Sequence, residues 1–485
     1  MLWACLHFPS LALETIARGD PGRIPLAIVA GETRPRVIAC NAAAGRAGVR
    51  PGMAVAAALA LAPGLEVHPR RPAAEAQALR EIAQWALQFS PTLSIEGDAA
   101  LLIEIGTGLK LFGGLTALLE AIRLQLPALG FSAVLAAAPT PSAALMLARA
   151  GLTQALTEPA LLREQLAPLP IAVTGCDEDS AHMLADLGVH TLGALLALPR
   201  DGLVRRFGQP LLATLDRALG RIPDPRLPFI APEQFQARIE LPAPAREVEA
   251  LLFAFKRLVA GASGWLRGRG LGAMRLRLEL IHEDCPPSAL TLNLSTPSRD
   301  ATHLGTLVRE RLERTQLPER VEAIALSTEI TADLSAQDRS LFPATEPAEE
   351  AQLIERLCAR LGDEAVCAVR PRADHRPEMA WRAARPAASS PGLMPPGPRP
   401  LWLLDEPQPL RQFLRASQGM ITGPRPVVAP VVLMDGPERI ESGWWEGRDV
   451  RRDYFVARAP SGQTLWIFNQ PGGDAAEWHV HGIFS

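Results

Sequence analysis

Two acidic residues, Glu96 and Asp98, stand on either side of a glycine between two short apolar segments. The glycine and the run Leu101–Ile103 that follows it predict a β-hairpin, and the two-residue period of a strand would place both carboxylates on one face. Enzymes that transfer phosphoryl groups with two metal ions carry acidic residues on such hairpins, because the metals need two or three converging carboxylates. The second strand of this hairpin begins instead with Ala99 and Ala100, and alanine ligates no metal.

The segments around the hairpin predict an α+β protein with several domains. Strands and helices alternate over residues 1–165, and residues 166–227 are predicted to be helical with glycine-containing turns. Residues 228–335 predict four strands of alternating character and two helices in the order βαββαβ. Residues 336–400 contain one predicted helix, followed from residue 371 by a stretch rich in Pro, Ala and Arg that predicts a flexible linker. Residues 401–485 predict a small β-rich module.

The composition of the chain limits the number of domains, the cellular location and the kinds of ligand that can be expected. With 485 residues and roughly 150 per domain, about three domains are expected. No apolar run is long enough to span a membrane and the first residues lack a basic segment, so a cytoplasmic protein without a membrane partner is expected. The six cysteines show no metal-binding spacing, and no metal or cofactor is predicted. The segment from Arg200 to Arg277 contains fourteen basic and seven acidic residues, which gives a local net charge of +7. Almost all of these basic residues are arginines.

Several segments together resemble the Y-family translesion DNA polymerases. "GVRPGM" before an alanine-rich helix resembles their fingers, and "LFGG" with "AAAPTPSAALMLARAG" resembles their palm. "LWACLHFPSLALE" and "LGVHTLGALLALPRDGLVRRFG" resemble a catalytically inactive bacterial branch of that family. The resemblance implies a palm with fingers in residues 1–165 (fingers about 31–75), a helix-hairpin-helix thumb in 166–227, a little finger in 228–335, a clamp-binding tail with a helix and linker in 336–400, and a C-terminal partner module in 401–485.

The same resemblance implies that this chain lacks the acidic catalytic residues of active members. It places the acidic positions of active members on residues that are not acidic here: Cys5, His7, Ala99 and Ala100. A neutral thiol is a poor ligand for Mg²⁺, which prefers oxygen. The implied protein is therefore not an enzyme and has no catalytic residue. The alternative is a divergent active polymerase that uses Glu96 or Asp98.

Arginines are the predicted DNA contacts. In the segment that resembles the thumb these are Arg205 and Arg206, and in the segment that resembles the little finger they are Arg267, Arg269, Arg275 and Arg277. Arg275 and Arg277 share one strand face, opposite an apolar one. Guanidinium groups would bind phosphates without reading bases. The alternative for both sets is a solvated charged surface.

A short segment beyond the last strand resembles the peptide with which bacterial proteins bind the β sliding clamp. Its residues are Gln337, Ser340, Leu341 and Phe342. In the inactive branch the C-terminal region engages a RecA-like protein and an error-prone C-family DNA polymerase. The resemblance thus implies an adaptor that binds DNA and the clamp in damage-induced (SOS) translesion synthesis and mutagenesis. A third alternative is a DNA-binding module with no clamp contact.

Overall fold

The computed structural model describes residues 1–18, 24–31, 33–334, 345–362, 364–384, 398–410, 431–447, 449–471 and 477–484. The chain divides into two units, Met1–Arg360 and Leu361–Ser485. Within the described ranges, no helix is both long and apolar enough to cross a membrane.

Helices and strands alternate along the first unit, whereas the described elements of the second unit are mainly strands. The described helices are α1 (Leu11–Glu14), α2 (Ala42–Arg46), α3 (Val55–Leu61), α4 (Pro72–Ala86), α5 (Leu115–Gln125), α6 (Pro141–Arg149), α7 (Leu162–Leu166), α8 (Glu178–Asp186), α9 (Leu192–Ala197), α10 (Arg200–Ala218), α11 (Val248–Arg269), α12 (Ala301–Arg314) and α13 (Thr345–Leu361). The described strands are β1 (Trp3–His7), β2 (Leu26–Ala30), β3 (Arg36–Cys40), β4 (Glu66–Pro69), β5 (Leu93–Glu96), β6 (Ala100–Glu104), β7 (Val134–Ala138), β8 (Gln236–Ala245), β9 (Leu271–His282), β10 (Ser288–Ser298), β11 (Val321–Asp333), β12 (Ala368–Pro371), β13 (Trp381–Ala384), β14 (Trp402–Pro409), β15 (Val432–Ser442), β16 (Val450–Arg458), β17 (Thr464–Asn469) and β18 (His479–Ile483).

The N-terminal sheet has the strand order β5-β6-β1-β7 and is antiparallel throughout. Because side chains alternate along β1, Ala4 and Leu6 pack with α4 and α5 on one face. Trp3 and Cys5 pack on the other face, with α6 and the helices that follow it. The predicted hairpin is confirmed, since β5 ends at Glu96 and β6 begins at Ala100.

A small three-stranded sheet, β3-β2-β4, carries α2 and α3 on its own apolar core. The Asn41 side chain begins α2 by accepting a hydrogen bond from the Ala44 N–H at 3.0 Å. Beyond the N-terminal sheet, α7 to α10 form a helical segment. Helix α10 is divided at Gly208, whose φ of 79° interrupts the helix just before Pro210.

The βαββαβ domain has the sheet order β10-β9-β11-β8, with α11 and α12 packed on its apolar face. Its elements follow one another in the order β8-α11-β9-β10-α12-β11. Leu276, Leu278 and Leu280 are fully buried beneath the helices. Arg275 and Arg277 alternate with these leucines on the open face.

This domain is docked on the N-terminal sheet domain through α11 and α4. A methyl group added at Gly264 would lie 2.6 Å from Trp85 Cδ1, and one at Gly268 would lie 2.5 Å from the Leu87 carbonyl carbon. The two glycines therefore allow the helices to approach more closely than alanine would permit. Nearby, Arg257 donates from Nη1 to the Arg18 carbonyl at 2.7 Å.

Helix α13 belongs to the βαββαβ domain, which corrects the prediction that this domain ends before it. The buried Glu355 carboxylate accepts hydrogen bonds from the Ser295 and Thr296 N–H groups and from His303 Nε2, the last at 2.7 Å. Ala359 joins the apolar core of the domain. The sequence shows an amphipathic helix here but does not show which surface it covers.

The C-terminal unit contains a five-stranded sheet, β14-β18-β17-β16-β15. Tyr454 stacks on Trp466 with ring centroids 4.1 Å apart, and its hydroxyl lies 2.7 Å from His481 Nδ1. The linker predicted from residue 371 is wrong in its first part, because β12 pairs with β13. Between them, Arg376 is buried and paired with Asp374 at 2.8 Å.

Candidate functional site

Three of the four predicted catalytic positions, Cys5, His7 and Ala100, lie together on one face of the N-terminal sheet, and Ala99 precedes β6. In the strand register His7 pairs with Ala100, and Ala100 pairs with Glu96 on its other side. Cys5 is one pair further along the same face of β1, opposite Leu102 and Ala136. This is the arrangement in which carboxylates from adjacent strands would converge on metal ions.

The side chains present there do not fit a two-metal site. Burial raises the pKa of the Cys5 thiol, whose residue is 0% exposed, so the thiol stays protonated. Burial also lowers the pKa of His7, although its hydrogen bond to the Ala99 carbonyl opposes this shift. A protonated thiol, an imidazole and two alanines supply no oxygen for Mg²⁺, which binds through oxygen ligands.

Glu96 is held by an arginine from the segment that joins the helical segment to the βαββαβ domain. Arg226 Nη1 lies 2.8 Å from Glu96 Oε2, and both side chains are more than four-fifths buried, at 16% and 18% exposure. Ser94 donates to the other carboxylate oxygen at 2.8 Å. Arg226 also pairs with Asp224 at 2.9 Å and donates to the Ser142 hydroxyl at 2.7 Å. The Arg226 guanidinium is thus already paired with the Glu96 carboxylate, which a metal ion would need as a ligand.

Asp98 has a different partner and does not converge with Glu96. It lies in the turn after β5 and contacts Arg70 Nη2 at 2.6 Å. The hydrogen bond from Arg70 holds the pKa of Asp98 below its usual value. Among the residues that the structure describes, no group of three His, Cys, Asp or Glu side chains is arranged to hold a metal ion.

The two arginines predicted in the helical segment are available for a ligand. Arg205 and Arg206 lie in the first half of α10, are exposed, and form no ion pair with any residue in the described part of the chain. Exposed guanidiniums of this kind are suited to DNA phosphates.

The four arginines predicted in the βαββαβ domain do not form one surface. Arg275 and Arg277 lie on the open face of the sheet, but Arg277 is paired with Glu279 at 2.9 Å and lies 3.8 Å from Glu329. Arg267 and Arg269 belong to the last turn of α11, the helix on the opposite face. Arg269 donates to the Pro232 carbonyl at 2.8 Å, so it is already engaged.

A depression of about 560 Å³ lies on the open face and includes a residue that the sequence analysis missed. Arg238 lines it together with Arg277 and with Gln77 of α4. Side chains alternate along β8, and Ala237 and Ile239 are buried. This alternation could have predicted that Arg238 faces outward. The four residues of the predicted clamp-binding peptide, Gln337, Ser340, Leu341 and Phe342, lie outside the described residues.

Comparison with known proteins decides the family. Residues 15–149 match the family model described as the impB/mucB/samB family (IMS). Protein ImuB of Caulobacter vibrioides (strain NA1000 / CB15N) is 31% identical over 464 residues, which cover 90% of this chain and 100% of that protein. The chain belongs to the ImuB family. The predicted relationship to Y-family polymerases is thereby confirmed.

Two further similarities of this ImuB-family chain are more distant. DNA polymerase IV of Shewanella halifaxensis (strain HAW-EB4) is 28% identical over 201 residues, 40% of this chain and 56% of that protein. Among solved structures, an insertion ternary complex of Dbh DNA polymerase matches with a TM-score of 0.40 at 18% identity, over 67% of this chain and 98% of that one.

Proposed function

We propose that this ImuB-family chain is a non-catalytic polymerase homologue that acts as a DNA- and clamp-binding adaptor in damage-induced translesion synthesis and mutagenesis. The ion pair between Arg226 and Glu96 carries the proposal. It lies on the sheet face whose other metal positions are Cys5, His7 and Ala100, so this face holds a guanidinium where a polymerase would hold metal ions.

In this proposal the N-terminal sheet is the palm and the small sheet with α2 and α3 is the fingers. The helices α8 to α10 are the thumb, and the βαββαβ domain is the little finger. The observed element order and the family membership support these assignments. The turn between α8 and α9 supports the thumb in particular, because Gly188 has a φ of 73° and Thr191 caps the next helix.

DNA is the proposed ligand of the thumb and little finger. Arg205 and Arg206 would contact phosphates without reading sequence, which suits a protein that must bind many different sites. The open face of the proposed little finger carries negative as well as positive charge, because Arg277 is paired with the carboxylates of Glu279 and Glu329. We therefore assign the larger share of the DNA affinity to the thumb arginines.

The remaining proposed partners are the β sliding clamp, the RecA-like protein ImuA and the error-prone C-family DNA polymerase, which together would form a mutasome. The clamp would bind Leu341 and Phe342. An exposed aromatic pair in the C-terminal unit supports a protein partner there, because Trp444 and Trp445 are 72% and 57% exposed and such side chains are enriched at interfaces.

The adaptor is tested by measuring clamp and DNA binding in parallel. The variant with Leu341→Ala and Phe342→Ala is expected to lose clamp binding in a pull-down assay and to keep wild-type DNA affinity in a gel shift. If the variant still bound the clamp as the wild type does, the clamp contact would lie elsewhere. If the wild type bound no DNA, the adaptor proposal would fail.

A further inference from the structure

A polar cleft of about 370 Å³ lies between α6, the turn Ile171–Thr174, the second half of α10 and the segment that contains Arg226. The cleft therefore lies between the proposed palm and the proposed thumb. Its volume is in the range of pockets that hold small molecules. None of the proposed DNA-binding arginines lines it.

Three arginines line this cleft, and two of them form no ion pair with any carboxylate among the described residues. Arg149 donates from Nη1 to the Val173 carbonyl at 3.2 Å, and the same nitrogen lies 2.9 Å from where a Cβ on Gly175 would be. The turn therefore fixes the position of this guanidinium. Arg217, half-buried on α10, forms no ion pair within the described part of the chain.

The third arginine, Arg226, closes one end of the cleft. Its terminal nitrogens are used by Glu96, Asp224 and Ser142, whereas its Nε is buried and has no hydrogen-bond partner. A buried N–H without an acceptor is costly, but this atom lies too deep for a ligand in the cleft to reach it.

The charges of the cleft favour an anion. Arg149, Arg217 and Arg226 carry three positive charges against the two negative charges of Glu96 and Asp224, a net charge of +1, and both carboxylates are paired with Arg226. Guanidinium forks match the oxygens of phosphate groups. Both groups are half-buried in a cleft, unlike the exposed Arg205 and Arg206, and this geometry fits a small molecule better than the backbone of a duplex.

We propose that this cleft binds a small phosphate-bearing molecule, with its phosphate groups between Arg149 and Arg217. Pyrophosphate or the polyphosphate group of a free nucleotide has the required chemistry. The ligand would connect α6 with α10 and so stabilise the packing of the proposed thumb on the proposed palm. No metal ion is needed, because the guanidiniums supply the positive charge.

Isothermal titration of the full chain with pyrophosphate, in buffer that contains a chelator, tests this proposal. Arg217→Ala is expected to weaken binding about 10- to 100-fold, the effect of losing a charge-assisted hydrogen bond, and Arg217→Lys is expected to weaken it less. Thermal unfolding without ligand should be the same for wild type and Arg217→Ala, since Arg217 forms no ion pair with the residues that the structure describes. The matched control is Arg163→Ala, an exposed arginine of α7 that does not line the cleft, which should leave pyrophosphate affinity unchanged.

Three results would overturn the proposal. The first is absence of binding by the wild type to both pyrophosphate and nucleoside triphosphates. The second is an equal loss in Arg163→Ala, which would show general attraction to positive charge. The third is a loss of DNA affinity in Arg217→Ala without any small-phosphate binding, which would make the cleft a contact for the DNA backbone. The adaptor proposal survives each of them, because it rests on DNA and clamp binding.

Discussion

Replacing Arg226 with alanine should be among the most destabilising single changes at the proposed palm. The side chain joins the linker before the βαββαβ domain to β5 through Glu96 and to the start of α6 through Ser142. Asp224 is its second carboxylate partner and is only 6% exposed. Truncation would leave two largely buried carboxylates without their guanidinium.

The expected loss in the free energy of unfolding is about 3 kcal/mol. Removing one partner of a buried ion pair costs roughly 3–5 kcal/mol, because the other charge remains buried and unpaired. Two other donors keep the loss near the lower figure. Ser94 still donates to Glu96 and the Ser142 N–H still donates to Asp224, each at 2.8 Å.

Denaturant unfolding of the full chain measures this loss, with Arg71→Ala as the matched control. Arg71 also pairs with a glutamate, Glu240, but both side chains are more than half exposed, so its loss should stay below about 1 kcal/mol. The reasoning would be refuted if the two variants were equally stable. It would also be refuted if Mg²⁺ stabilised Arg226→Ala but not the double variant with Glu96→Ala, because Glu96 would then be a metal ligand.

Two further predictions concern DNA binding and pH. Arg205→Ala with Arg206→Ala should weaken DNA binding and reduce the slope of log K against log salt by about 1.8, since each phosphate contact contributes about 0.9. The exposed Arg123→Ala of α5 is the control, and an unchanged slope would exclude both residues as contacts. Burial lowers the pKa of His481 to about 4, from 6.5. The unfolded state therefore binds more protons than the folded state between pH 6.5 and pH 4. The free energy of unfolding of the C-terminal unit should be highest above pH 6.5 and should decrease by on the order of 3 kcal/mol as the pH falls to 4. In denaturant unfolding His481→Gln should remove this dependence, and the same dependence in both proteins would assign it to another group.

Local patterns were enough to predict much of the fold. The glycine between Glu96 and Asp98 marks the hairpin, and the alternation around Arg275 and Arg277 separates the buried face of β9 from its open face. These features depend on neighbours within a few residues, and the period of a strand reports them directly.

Contacts between distant residues could not be predicted in this way. Glu96 and Arg226 are 130 positions apart, and nothing in either segment indicates that they meet. The same holds for Glu355, whose partners on β10 are 59 and 60 positions away. A charged residue in a sequence shows its charge but not its counterion, so the pairing of Arg277 with Glu329 was also missed.

Primer extension by the purified full chain tests the central claim most directly. The substrate is an undamaged primer-template with all four deoxynucleoside triphosphates and either Mg²⁺ or Mn²⁺. We predict no extension with either metal, while the same preparation shifts the DNA in a gel. Extension by the wild type that is lost in Glu96→Ala or Asp98→Ala would contradict the account and make this chain a polymerase.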